Sequence, residues 1–372
     1  MSLATSLSRD DHRVHSGSLK LVAISTSAPE DYKATDSTPL NDDPKLANNC
    51  ELIGGKDCLV FLIATFFGTK FDTLADGVLA NILQLIRIRQ WTKNIFVLAA
   101  FVFTRGWEEA AEIRAITLAF IAMCLISSAT YVVNDIVDHQ KDQQHPKKKY
   151  RPVASGKIKI DHAIGIALIL FVLGLASAFI SRPETLLVLF AYLAIQVAYN
   201  FGLRNQAVID VGCIAAGFVI RVVLGAVAIN AQVSGWILLC TATVALMIGF
   251  GKRRHEFMLK SQLGGETRRS LSDYTQQSLD VLVAMSATCA AMSYSVYSIE
   301  SPTAHTYPAL ILTTPWVIFG VCRYVILVFG TGETGEPESL ILGDKQLLIV
   351  FAGYALSAVL ALKRLPLPFL IQ

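Results

Sequence analysis

The chain has 372 residues, 53% of them hydrophobic and 16% charged, with a mean hydropathy of +0.51. Ordinary soluble domains carry about 25% charged residues, so this composition argues against a soluble enzyme. A net charge of +3 at pH 7 is too small to suggest a nucleic-acid partner.

Residues 1 to 57 are rich in Ser, Thr, Asp, Asn and Lys, include Pro29, Pro39 and Pro44, and have no sustained apolar period. That composition belongs to a disordered or weakly ordered tail. The apolar run Cys58 to Phe67 is too short to span a bilayer and lies too far from Met1 for an ordinary signal-peptide core, so it reads as an interfacial or packing segment. Residues 1–78 are therefore set apart from a membrane domain at 79–372.

Apolar runs of spanning length, roughly 20 residues each, then recur near 82–103, 113–133, 162–181, 185–201, 208–230, 233–251, 279–299, 308–329 and 346–363. The expected fold is an all-α polytopic membrane bundle of about nine transmembrane helices. The second-to-third connection holds Lys141, Lys147, Lys148, Lys149, Arg151, Lys157 and Lys159, and the sixth-to-seventh holds Lys252, Arg253, Arg254, Lys260, Arg268 and Arg269. The opposite connections offer only Arg105, Arg114 and Arg182, with Lys363 and Arg364 after the last span. The positive-inside rule makes the two basic connections and the N-terminus cytoplasmic, and the C-terminus external. Five of the seven cysteines fall inside apolar runs and none forms a C-x-x-C pair, so they read as small core residues.

On the first span, Arg87, Gln90 and Asn94 fall on nearly one helical face with Trp91 at an interface. Lys93 either points at a pocket or snorkels to headgroups. The strongest motif, Tyr131-Val-Val-Asn134-Asp135-Ile-Val-Asp138-His-Gln-Lys-Asp142, closes the second span. In a continuous helix Asp135, Asp138 and Asp142 form one carboxylate stripe, with Asn134 a turn before Asp138. Like charges so close need a cation, and hard oxygen ligands suit Mg²⁺ held together with a substrate diphosphate. The alternative is a solvated acidic helix end balanced by nearby lysines.

His145 to Gly156 forms an irregular loop whose cations meet either phosphates or anionic headgroups, and Arg151 is the better placed for bidentate phosphate recognition. Tyr199-Asn-Phe-Gly-Leu-Arg204 precedes Asp210 and Arg221, which share a face of the fifth span. Arg221 is either a site cation or a structural partner to a buried carboxylate or a backbone carbonyl. The cluster Gly251-Lys252-Arg253-Arg254-His-Glu256, at the end of the sixth span, is basic where a second acidic motif could have paired with the first. Ordinary topology accounts for part of that charge. His139, His145, His162, His255 and His305 lack ligand spacing and carry no assigned chemistry.

Together these residues resemble the UbiA superfamily of intramembrane prenyltransferases, whose N-D-x-x-D-x-x-x-D motif is met from Asn134 to Asp142. Within it, the chain is most similar to the decaprenyl-phosphate phosphoribosyltransferase family through Gln90-Trp91 and Lys93-Asn94, His145-Pro146, Tyr150-Arg151-Pro152, Gly156, Tyr199 to Leu203, and Gly251-Lys252-Arg253 with Glu256. Ile88 stands where that family often has proline and Arg204 where it often has lysine, and the long N-terminal tail is unusual for it.

The resemblance implies Mg²⁺-dependent transfer of 5-phosphoribosyl from phosphoribosyl diphosphate to a polyprenyl phosphate in a bacterial cytoplasmic membrane. The product would feed arabinosyl-lipid synthesis for cell-wall arabinan or arabinosylated nodulation factors. It implies catalytic Asp135, Asp138 and Asp142, metal held by these and Asn134, and substrate binding by Lys93, Tyr131, Arg151, Tyr199, Arg204, Arg221, Lys252 and Arg253. Nucleic acid is not an expected partner; the lipid bilayer is, and a homo-oligomer stays open. An aromatic prenyltransferase using a prenyl diphosphate is the nearer rival, weakened because no second aspartate cluster stands near residue 252. A transporter would need broken helices at the midplane and paired repeats.

Overall fold

The computed structural model describes residues 77–104, 109–145, 148–263, 269–330 and 343–362. The expected tail, the short apolar run 58–67 and the cations Arg105, Lys147, Arg268, Lys363 and Arg364 lie outside the described residues. Within them the structure is helical, without a strand.

Long apolar stretches, with proline only at Pro315 in the first turn of α11, make the major helices: α3 (Ala110–Val137), α5 (Ile160–Ser181), α6 (Thr185–Phe201), α7 (Ile209–Ala228), α8 (Gly235–Leu263), α9 (Gln276–Glu300), α11 (Thr314–Gly330) and α12 (Lys345–Leu362). Short helices α4 (His139–Gln144) and α10 (Pro302–Thr306) sit in connections. Seven helical segments among the described residues are long and apolar enough to cross a membrane, fewer than the nine expected. The predicted fourth span, Thr185–Phe201, has only 17 residues.

The predicted first span is the other difference. It is built in three pieces: α1 (Val78–Leu85), a 3-10 stretch Ile88–Leu98 and α2 (Ala99–Thr104). The break falls at Arg87, whose backbone is left-handed with φ 53° and ψ 51°. Runs of 3-10 helix this long are uncommon because their hydrogen bonds are poorer, and side chains of α3 stabilise this one. Ser128 Oγ donates to the Ile86 carbonyl at 2.7 Å, an acceptor freed by the break, and accepts from Trp91 Nε1 at 2.9 Å. Asn94, fully buried, donates through Nδ2 to Ser127 Oγ at 3.3 Å. On the other side α7 comes so close that a Cβ on Gly225 would collide with the Val97 carbonyl oxygen. Only glycine permits that approach.

The core has two main parts joined by α7. Val97, Ala119, Met123, Ile126, Leu189 and Leu224 pack in one, bringing the 3-10 stretch, α3, α6 and α7 together. Val211, Met247, Phe250, Val283, Ala287 and Val321 pack in the other, from α7, α8, α9 and α11. Helices α3 and α5 are also cross-linked by Ser177 Oγ donating to Leu118 O at 2.9 Å and Ser181 Oγ to Ala115 O at 2.8 Å, bonds suited to a medium without water. The outer face of α5 exposes Ile164, Leu168, Val172 and Phe179, an apolar wall fit for lipid.

Candidate active site

The acidic motif does not form the expected single stripe. Helix α3 stops at Val137, and Asp138, with φ −90° and ψ 5°, stands between it and α4. One physical reason is charge: a continuous helix would stack three carboxylates at a membrane edge, whereas the break turns Asp138 away from the other two and toward a different cation. Arg151 Nη1 lies 3.0 Å from Asp135 Oδ1 and 2.6 Å from Asp142 Oδ2, so a single guanidinium nitrogen holds both carboxylates. Both carboxylates are buried, with Asp135 at 2% and Asp142 at 4% exposure. Asp138 turns instead to Arg204, whose Nη1 is 3.7 Å from its Oδ2.

Two residues absent from the expected set complete this centre. Arg87, aimed by its left-handed backbone, donates from Nη2 to Asp135 Oδ1 at 2.5 Å and lies over the Tyr131 ring at 5.0 Å. Asn200 Nδ2 donates to Asn134 Oδ1 at 2.8 Å, tying the end of α6 to the motif. An arginine inside an apolar run was the available signal for the first. Asn200 sits inside the Tyr199 to Arg204 motif, where nothing in the spacing names its partner.

Arg221 stands deeper, 6% exposed, donating from Nε to Asn94 Oδ1 at 2.8 Å and from Nη1 to the Gly217 carbonyl at 2.7 Å. The Tyr192 and Phe218 rings flank it at 5.2 and 5.5 Å. Its hydrogen bonds thus run to an amide and a backbone carbonyl, and no carboxylate pairs with it among the described residues. Lys93, Tyr199 and Lys252 are half-buried.

Arg253 is brought together with two carboxylates. It is 1% exposed, its Nε lies 2.7 Å from Asp210 Oδ2, and its Nη1 pairs with Glu256. Helix α8 runs on past the expected end at residue 251, so this cluster lies within a helix. Asp210, fully buried, also accepts from Ser270 Oγ at 3.3 Å and Tyr274 Oη at 3.4 Å. Burial raises the Tyr274 phenol above its ordinary value, keeping it a neutral hydroxyl.

Residues 94–262 match the UbiA prenyltransferase family. The decaprenyl-phosphate phosphoribosyltransferase of Mycobacterium tuberculosis is 34% identical over 278 residues, covering 74% of this chain and 91% of that protein. The decaprenyl-phosphate phosphoribosyltransferase of Corynebacterium glutamicum is 32% identical over 305 residues, covering 79% of this chain and 89% of that protein. A UbiA homologue from Archaeoglobus fulgidus, solved bound to GPP and Mg²⁺, superimposes with a TM-score of 0.59 at 15% identity, covering 76% of this chain and 99% of that one. With an acidic motif at the end of a helical bundle and relatives alike over nearly their whole length, the chain belongs to the UbiA prenyltransferase family, in its decaprenyl-phosphate phosphoribosyltransferase branch.

Proposed function

We propose that this protein transfers the 5-phosphoribosyl group of phosphoribosyl diphosphate to a polyprenyl phosphate, releasing diphosphate. The observation that carries the reading is the pair of buried carboxylates, Asp135 and Asp142, bridged by Arg151 and set beside Arg87, Arg204 and Asn134. Such a mixed centre suits a substrate rich in phosphate oxygens.

Mg²⁺ fits this donor set. Among the described residues no three His, Cys, Asp or Glu side chains gather to enclose a metal by themselves, and Mg²⁺ does not require that, since it commonly takes one or two carboxylates with waters and substrate phosphates. Asp135 and Asp142 would hold it, with Asn134 and Asp138 at the margin. Bound there, it neutralises charge developing on the departing diphosphate.

The chain's own groups do the rest. Arg151 and Arg87 pair with the two carboxylates and fix their positions. Lys93, Arg204, Arg221 and Lys252 orient phosphates of donor and acceptor, and Tyr131 and Tyr199 offer hydroxyls to them. The bond from ribosyl C1 to the diphosphate oxygen breaks as an acceptor phosphate oxygen forms its bond to C1 from the opposite face. That oxygen is already anionic and needs no strong base, so positioning and electrostatics supply most of the rate. The site lies at the end of the bundle carrying Lys141, Lys148, Lys149, Lys157 and Lys159, which the positive-inside rule makes the cytoplasmic face of a bacterial membrane. The product would serve as precursor to an arabinosyl-lipid donor.

Purified protein with labelled phosphoribosyl diphosphate, a polyprenyl phosphate and Mg²⁺ should yield label in the extracted lipid, lost with chelator. No label from folded wild type, or full activity after Asp138→Ala, overturns the reading. Consumption of a prenyl diphosphate with an aromatic acceptor would put the rival in its place.

A further inference from the structure

The connection from α6 to α7 holds a backbone conformation that its own sequence disfavours. Val208 has φ 67° and ψ −46°, and Ile209 N–H donates to the Ala207 carbonyl at 2.7 Å, closing a γ-turn around Val208. That turn is rare and strained, and a β-branched residue at positive φ is an outlier. The Val208 side chain is 49% exposed, so packing of its own atoms does not enforce the turn. Strain of this kind persists only where the surroundings over-determine it.

Those surroundings are the connection after α8. Val208 N–H donates to Tyr274 Oη at 2.5 Å, and Tyr274 Oη donates in turn to Asp210 Oδ1 at 3.4 Å. Ser270 reaches Asp210 Oδ2, which also faces Arg253 Nε, while Asp210 Oδ1 accepts from Val211 N–H at 2.9 Å. Ser270, Leu271 and Tyr274 are all buried, so the Arg269–Asp273 turn and Tyr274 sit against the start of α7 as a fixed body. Just upstream, Gly202 with φ 152° opens the one-turn segment Leu203–Asn205 that carries Arg204 to Asp138. The segment between Gly202 and the γ-turn is therefore pinned at one end by α6 and at the other by Tyr274.

From this arrangement we infer that Tyr274, backed by Asp210 and Arg253, is a positioning residue that fixes the 202–208 connection and so presents Arg204 to the acidic motif. On the phosphoribosyl reading, on which its kinetic consequence rests, Tyr274 touches no substrate and acts on donor binding through Arg204. Arg253 then works as an internal counter-ion and not as a phosphate ligand, which accounts for its burial between two carboxylates.

The test is Tyr274→Phe, which keeps the ring and removes the hydroxyl. In wild type and variant that share a thermal midpoint within a few degrees, donor KM should rise about tenfold, the worth of one hydrogen bond in a buried network, with kcat within about twofold. In an Arg204→Ala background Tyr274→Phe should add almost nothing to the donor KM, because its effect passes through the side chain already removed. Full additivity, or an unchanged KM, overturns the inference. Hydrogen exchange over residues 202–210 gives a readout independent of any activity: Tyr274→Phe should speed it at least tenfold while exchange in α3 is unchanged. Unaltered exchange overturns the inference even if the lipid is ribosylated; faster exchange in a protein that ribosylates no lipid leaves the clamp standing and removes only the phosphoribosyl reading.

Discussion

Arg87 and Asp135 are joined across the bundle by a 2.5 Å contact that depends on a left-handed residue. Were the first segment a regular helix, the backbone would carry this guanidinium in another direction. Arg87→Ala should leave Asp135 to Arg151 alone and lower stability by about 2 kcal/mol, in the range for a hydrogen bond to a charged group, with a further loss of activity. Thermal unfolding in detergent checks the first, and lipid labelling the second.

Removing the carboxylate itself separates chemistry from packing. Asp135→Asn retains shape and hydrogen-bonding capacity but not charge, so it should cut lipid labelling by about 100-fold or more. Mg²⁺-dependent protection against heat, present in wild type when diphosphate is added, should disappear in the variant. Retained protection would show that the cation is held elsewhere.

Gly225 and Gly165 make a contrasting pair. Alanine at Gly225 would drive its Cβ into the Val97 backbone, which cannot swing aside as a side chain can, and should cost about 3 kcal/mol or more. Alanine at Gly165, on α5, meets nothing within 4 Å and should be neutral or stabilising by up to about 1 kcal/mol. Yields of folded protein and thermal midpoints should separate the two clearly.

Asp344 offers a test by pH. The guanidinium of Arg323 and the Leu347 N–H hold its carboxyl below the ordinary carboxylate range. A carboxyl lowered by folding contributes stability above its unfolded value, about 3.9, and loses it as pH falls through the folded value. The stability difference between wild type and Asp344→Asn should therefore be constant from pH 8 to about 5 and shrink toward zero in stronger acid. A difference that grows on acidification would contradict this.

Much of the architecture was readable from residue order, because apolar runs of spanning length have few alternatives in a bilayer. The acidic motif was readable too, since Asn134, Asp135, Asp138 and Asp142 are costly where they stand. What residue order concealed was where helices stop. Periodicity places Asp135, Asp138 and Asp142 on one face only if the helix continues, and nothing local announces the break at Asp138. Likewise the left-handed turn at Arg87 and the 3-10 stretch after it rest against Ser128 and Gly225, which are distant in sequence and supplied by other helices. At Lys252 to Arg254 residue order shows the charges but not the buried Asp210 that lies opposite Arg253.

The long 3-10 stretch at Ile88–Leu98 bears on how the protein is made. While it emerges from the ribosome, neither Ser128 nor Gly225 has yet emerged to meet it, and Arg87, Arg89 and Lys93 each oppose entry into lipid by about 2.5 to 3.5 kcal/mol at the centre of a helix. The first segment should consequently insert poorly by itself and be retained only after α3 and α7 arrive to receive it. Truncations ending before residue 225 ought to leave it accessible from the aqueous side, whereas chains extending through α7 should bury it, so that the order of synthesis and the order of membrane integration differ.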